Sequence, residues 1–233
     1  MKVTPMLFKD EMVRAVVDGR KTQTRRLLKV PDGWSVESPC GNPAVTGMIT
    51  SKHPKQGKFG VFISRDSSGF TERDIVVCPY GKPGDLIYVR EAHIRGHAVG
   101  GYQPHVDPDK DPSGPTVDII YRADDGPNER SAGPWTPSIH MPRWASRLTL
   151  KIKSIRVERL QDISEEDAKA EGSHVVTFPL TDEQQSMTDR FRSLWKSING
   201  SDSWNTNPWV WRIQYEPIIQ NVDVYLSELE EAA

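Results

Sequence analysis

The sequence predicts an α+β protein, a small, partly closed mixed β-barrel with roughly three helices packed on its outside. Strand-length apolar or alternating runs recur along the whole chain, separated by long Gly- and Pro-rich connections. Helical periodicity is confined to a few short segments. The two kinds of run do not interleave regularly, which argues against a doubly wound parallel sheet.

With 233 residues, 36% of them hydrophobic and 27% charged, the chain holds enough material for a real core, in one large domain or two small ones. A net charge of -2 excludes a generally basic nucleic-acid coat, so any nucleic-acid contact must come from a local patch. Cys40 and Cys78 are too few for a disulfide scaffold, and a reducing cytoplasm is the default. A metal site from Cys40, His53 and Cys78 lacks any paired ligand spacing. No basic start is followed by an apolar run and no long apolar segment exists, so neither secretion nor membrane spanning is expected. Nothing calls for a cofactor or a metal.

Taken in order, residues 3–8 read as a short strand. Phe8, Met12, Ala15 and Val16 then recur at helical spacing, with Asp10 and Glu11 in the first turn, where acids favour the helix dipole. Gly19 fits the left-handed position past a helix end. Residues 31–58 show little periodicity. Two strands, at 60–64 and 75–78, flank Ser67-Ser68-Gly69 and suggest a hairpin. Pro83-Gly84-Asp85 is a turn leading into a strand at 86–91. Residues 95–115 and 126–137 read as loops around a strand at 117–122. The longest strand pattern covers 148–160. Leu148, Leu150 and Ile152 alternate, then Ile155 and Val157 continue one residue out of phase, as a bulge near Lys153-Ser154 would produce. Ser164 to Asp167 and Thr181 to Gln184 each match a capping box at a helix start. The first helix stops near Gly172. The second carries a stripe of Met187, Phe191, Leu194, Trp195 and Ile198 and stops at Asn199-Gly200. In the last strand, 209–215, Trp209, Trp211, Ile213 and Tyr215 share one face. The tail, 219–233, is acidic and expected to be frayed or weakly helical.

Chemistry concentrates in Gly19-Arg20-Lys21-Thr22-Gln23-Thr24-Arg25-Arg26, which packs four cations, two hydroxyls and one amide behind a glycine. On a strand Lys21 and Thr24 point to opposite faces; on a turn they can converge. A lysine held among cations has a lowered pKa, and a neutral lysine can make a threonine hydroxyl a nucleophile. The bland alternative is a solvated basic turn. A second cluster, from Trp135 through His140, Arg143 and Trp144 to Arg147, holds aromatics and arginines that can stack a base and hold phosphates. Its bland alternative has Trp144 in the core and the arginines on the surface.

The 19–26 run, then Gly84-Asp85-x-Ile87-x-Val89-Arg90-Glu91, then Leu160-x-Asp162-Ile163-Ser164-Glu165-Glu166-Asp167-Ala168-x-Ala170-Glu171-Gly172, then the Trp-rich last strand, resemble the ASCH domain, a branch of the PUA-like β-barrels. The form with Trp-x-Pro-Ser-Ile-His-Met-Pro-Arg-Trp-Ala-Ser-Arg looks like ASCH proteins of tailed phages and prophages. The resemblance implies one domain over 1–218, with loop-rich insertions near 31–80 and 95–134, in a bacterial host's cytoplasm. Small bacterial members include N4-acetylcytidine amidohydrolases, whose proposed lysine, threonine and glutamate match Lys21, Thr24 and Glu171.

The implied reaction is hydrolysis of an N4-acylated cytidine or related modified nucleoside. Lys21 serves as base, Thr24 as nucleophile and Glu171 as proton shuttle or water-positioning group, with Arg25 or Arg26 offsetting oxyanion charge. Glu91, at a strand end, is a second carboxylate whose simpler reading is an arginine's partner. The rival function is a module that binds RNA or a modified nucleotide without chemistry, stacking it on Trp135 and Trp144 and holding it through His140, Arg143, Lys21, Arg25 and Arg26. A third is a phage accessory protein with no pocket chemistry.

Overall fold

The structure, a computed structural model, describes residues 1–38, 44–67, 69–96, 118–125, 134–173 and 186–232. Among these residues it is a mixed α+β fold with eleven strands and five α-helices. The chain divides into two compact units, each assembled from separate stretches. The first comprises Met1–Gly19, Leu86–Lys151 and Glu216–Ala233, and the second Arg20–Asp85 and Ile152–Tyr215.

In the first unit, β1 (Val3–Leu7) leads into α1 (Asp10–Val17), which buries Met12, Val13, Ala15 and Val16. Gly19 closes the helix at φ 70°, in the left-handed region expected of it. β1 lies parallel to β7 (Leu86–Arg90), from Val3 against Leu86 to Leu7 against Arg90. The start of β10 (Thr149–Arg159) runs antiparallel on β7. β8 (His93–Gly96) and β9 (Asp118–Tyr121) form a separate antiparallel pair, followed by the short α2 (Arg122–Asp125). The tail is more ordered than its acidity suggests: Val222–Glu231 is helix α5, with Val222 buried. Its N-cap Asn221 accepts from the Asp223 amide, and its side-chain amide donates to the carbonyls of Arg143, Trp144 and Ser146. Those bonds hold the helix start in place against an unfavourable charge at its end.

In the second unit, β2 (Gln23–Leu27) pairs antiparallel with β11 (Trp209–Ile218), and β10 lies on β11's other side. The sequence left β3 (Ser35–Val36) and β4 (Thr46–Met48) unmarked, because two- and three-residue strands carry no period of their own. They line one edge of β5 (Phe59–Ser67), whose other edge takes β6 (Phe70–Val77) in the expected hairpin, turned at Gly69 with φ 86°. The expected phase shift in β10 is visible in burial: Leu150 and Ile152 are buried before Lys153-Ser154, and Ile155 and Val157 after it. α3 (Glu165–Ala170) and α4 (Met187–Asn199) pack through Ala168, Phe191 and Trp195 onto Leu160, Ile163, Trp204 and Val210. The predicted α4 stripe is narrower than expected, since Ile198 is 47% exposed. The capping box at 181–184, Cys40 and most of the 95–115 and 126–137 loops lie outside the described residues.

The expected partly closed barrel with roughly three helices is corrected on both counts: there are five α-helices among the described residues, α2 being too short to show a period and α5 lying in the acidic tail. β1 pairs with β7 alone and β2 with β11 alone, so the sheets of the described residues are open and none closes into a barrel. The turn expected at Pro83-Gly84-Asp85 is present, with the Asp85 carboxylate accepting from the Lys82 amide at 3.0 Å.

α3 starts at Ser164, whose hydroxyl accepts from the Asp167 amide at 3.1 Å. Ser164→Ala removes that acceptor and is expected to cost about 1 kcal/mol, read as a lowered urea midpoint, with Ser164→Gly costing only a few tenths.

Candidate active site

The expected turn geometry holds at Gly19 but not beyond it: from Gln23 the basic run is strand β2. Main-chain bonds tie the stretch before β2 to the end of α3. Thr22 donates to the Ala170 carbonyl at 2.9 Å, and Lys21 bridges Glu171 in antiparallel fashion. Glu171 caps α3 at its C-terminal end. So the site forms where α3 stops and β2 begins.

The Lys21 ammonium donates to a Glu171 carboxylate oxygen at 2.8 Å and to the Glu171 carbonyl at 2.8 Å. Both residues are 3% exposed. Burial pushes the Lys21 pKa down, and Glu171 pulls it back only in part. The lowering expected from the sequence is present, but desolvation is its main cause, with Arg26 and Arg25 minor contributors.

Arg25 is the centre of the charged network. Its Nε and Nη2 reach one Glu158 oxygen at 2.9 and 2.5 Å, Nη2 also reaches Asp167 at 2.8 Å, and Nη1 reaches Glu171 at 3.1 Å. Burial alone lowers the Arg25 pKa, and the three carboxylates more than reverse that. Burial likewise raises Asp167, but Arg25 and Arg212 overcome it and hold Asp167 below the usual carboxylate range. Arg212 donates to Asp167 at 2.6 Å and to Gln23 at 3.1 Å.

Register sorts these groups. Arg25 lies opposite Arg212 and Gln23 opposite Gln214, so these four share one face of the strand pair. Thr24 lies opposite Ile213 and Arg26 opposite Trp211, on the other face. Tyr215, whose amide donates to the Thr22 carbonyl at 3.0 Å, follows Ile213 by two and joins Thr24 and Arg26. Glu171 acts on both sets. Its carboxylate holds Lys21 and Arg25, and its charge is felt by Arg26 and Tyr215. Arg26 is half-buried, and that burial pushes its pKa down against the pull of Tyr80 and Glu171.

The Tyr215 hydroxyl is buried and finds no hydrogen-bond partner among the described residues. An unsatisfied buried group of this kind costs about 1–3 kcal/mol. Burial, with Glu171 adding to it, raises its pKa well above 10, so it stays protonated.

The second predicted cluster lies in the first unit and is engaged internally. Arg143 pairs with Asp223. Trp144 packs against Ile119, Tyr121, Met141 and Ala145. Arg147 grips Glu91 at 2.9 and 3.1 Å, also pairs with Asp124, and stacks over Tyr121 at 4.0 Å. Glu91 is therefore the arginine partner its simpler reading proposed. His140 is exposed, and Trp135 is half-buried beside Thr136, which exchanges main-chain bonds with His93.

So Lys21 and Glu171 are in direct contact and Thr24 shares a face with Arg26, whereas Trp135, His140, Arg143 and Trp144 belong to the first unit. Glu158, Asp167, Arg212 and Tyr215 escaped the sequence reading as members of the site. Asp167 had a signal, since it stands one helical turn before Glu171 and so on the same side of α3. Glu158 and Tyr215 had none, because strand position alone does not reveal what is buried opposite.

No family model, curated protein or solved structure matches the chain. Among the described residues no group of His, Cys, Asp and Glu is arranged to hold a metal ion, and no helix is long and apolar enough to cross a membrane.

Proposed function

We propose that this protein hydrolyses the amide of an N4-acylated cytidine or a related modified nucleoside, on an ASCH-type, PUA-like fold. The observation that carries the reading is the buried Lys21–Glu171 pair at 2.8 Å, made by residues 150 positions apart. Two opposite charges drawn out of water at the end of a short helix are costly to build for stability alone, and perturbed lysines of this kind concentrate at reactive sites.

Strand β2 sets Thr24 on the face opposite Gln23 and Arg25, so neutral Lys21 takes the Thr24 hydroxyl proton through the Glu171 carboxylate it holds as Thr24 Oγ adds to the acyl carbonyl carbon. The C–N bond breaks, its electron pair stays on the exocyclic nitrogen, and that nitrogen takes the proton from Lys21 with Glu171 as relay. Water then adds to the acyl-threonine ester, the Thr24 oxygen regains a proton, and the carboxylic acid leaves. The Arg25 guanidinium is held by three carboxylates, and Arg26, on the same strand face as Thr24, offsets the charge on the tetrahedral oxygen.

Purified protein is expected to release cytidine and acetate from N4-acetylcytidine. Because Lys21 must be neutral to act, the rate should rise with pH through its ionisation, at a value below the ordinary 10.5. Absence of release from every N4-acylated cytosine tried, by folded protein, overturns the proposal. Nucleoside binding without release would instead favour a binding module.

A further inference from the structure

The mechanism leaves the buried Tyr215 hydroxyl unused. Tyr215 is 2% exposed, and its hydroxyl finds no hydrogen-bond partner among the described residues. A phenylalanine would fill the same space without leaving a polar atom unsatisfied. Buried tyrosine hydroxyls ordinarily find a partner, so this one calls for an acceptor that the described residues do not supply.

Its position narrows what that acceptor is. Tyr215 lies two residues from Ile213, which faces Thr24, and so projects on the face that carries Thr24 and Arg26. Burial and the Glu171 charge keep the phenol protonated at any working pH, so it serves as a donor. Arg26 is also a donor. Two donors beside a hydroxyl nucleophile suit a carbonyl oxygen that gains negative charge when the nucleophile adds.

We propose that the Tyr215 hydroxyl donates to the acyl carbonyl oxygen of the bound ligand and, with Arg26, forms the oxyanion site facing Thr24. The inference rests on the amidohydrolase reading and narrows its ligands to those presenting an uncharged carbonyl at Thr24. An amide or ester fits there; a free carboxylate product, already charged and without a leaving group, is bound but not processed. No covalent step passes through Tyr215: it donates a hydrogen bond and keeps its proton.

The test is Tyr215→Phe, compared with wild type in three measurements: ligand-free melting temperature, kcat and KM for N4-acetylcytidine, and equilibrium binding of N4-acetylcytidine. The expected result is an unchanged or slightly raised melting temperature and a kcat lowered about 100-fold, with KM changed far less. A purely structural hydroxyl would move the melting temperature and leave kcat alone. A melting temperature lowered by several degrees therefore overturns the inference, because the hydroxyl then has a partner within the protein. Wild-type kcat in the variant also overturns it, while leaving the amidohydrolase reading intact. If wild type binds N4-acetylcytidine without turning it over and the variant loses that binding, Tyr215 stands as a ligand donor and the amidohydrolase reading falls. If wild type neither binds nor hydrolyses the nucleoside, both fall together.

Discussion

Lys21→Met is expected to lower turnover of N4-acetylcytidine by about 100- to 10,000-fold, the span of one acid–base group, while the protein stays folded. Methionine fills nearly the same volume with no charge and no basic nitrogen. It cannot take the Thr24 proton, and the rise of rate with pH through the Lys21 ionisation should disappear with it. The fold survives because Glu171 is not abandoned: its other oxygen remains bonded to Arg25 at 3.1 Å. The stability loss should therefore fall below the ~3–5 kcal/mol of a stranded buried charge. Lys21→Ala is the poorer test, since it adds a cavity to the lost charge. Cytidine release followed by chromatography, beside urea denaturation of the same preparation, separates the two effects. Wild-type turnover in Lys21→Met would place the base elsewhere.

Arg25→Met should destabilise the fold more than any other single change in this network, by about 3–5 kcal/mol. The guanidinium is wholly buried and serves Glu158, Asp167 and Glu171 at once. Without it, Lys21 still holds Glu171 and Arg212 still holds Asp167, but Glu158 loses both of its bonds to Arg25. Arg25→Lys keeps the charge and is expected to recover only part of the loss, because one ammonium cannot span three carboxylates as a planar fork does. The acid limb should move as well. Asp167 has a folded pKa below its ordinary 3.8, so its contribution is present above that value and lost as pH falls through the folded one. Removing Arg25 raises the folded value, and the loss should begin at higher pH. Urea midpoints at neutral and acid pH check both points. A midpoint unchanged in Arg25→Met would mean that the carboxylates are satisfied by other groups.

Much of the local structure was legible. The α1 stripe, the glycine after it, the hairpin around Gly69 and the strands through Ile87, Leu150 and Trp211 each follow from a period or a turn residue, although the last runs on to Ile218, past the expected end at Tyr215. Burial in β10 even kept the half-step between Ile152 and Ile155. The failures share a cause. β3 and β4 exist because β5 offers them an edge, α5 is held at its start by Asn221, and the basic run extends as β2 because β11 pairs with it. In each case a partner distant in sequence overrides a weak local preference.

The candidate site divides along the same line. The sequence by itself determined where α3 stops, that Asp167 and Glu171 stand one turn apart on it, and that cations cluster after Gly19. Only the tertiary structure decided which of those cations are dry, that Lys21 meets Glu171, that Arg25 is spent on three carboxylates, and that Tyr215 stands on the face of Thr24. Spacing and capping act over a few residues and are written into local sequence. Burial, and the pKa it shifts, depends on segments 100 or more residues apart closing over the same atoms, as the 150-residue separation of Lys21 and Glu171 shows.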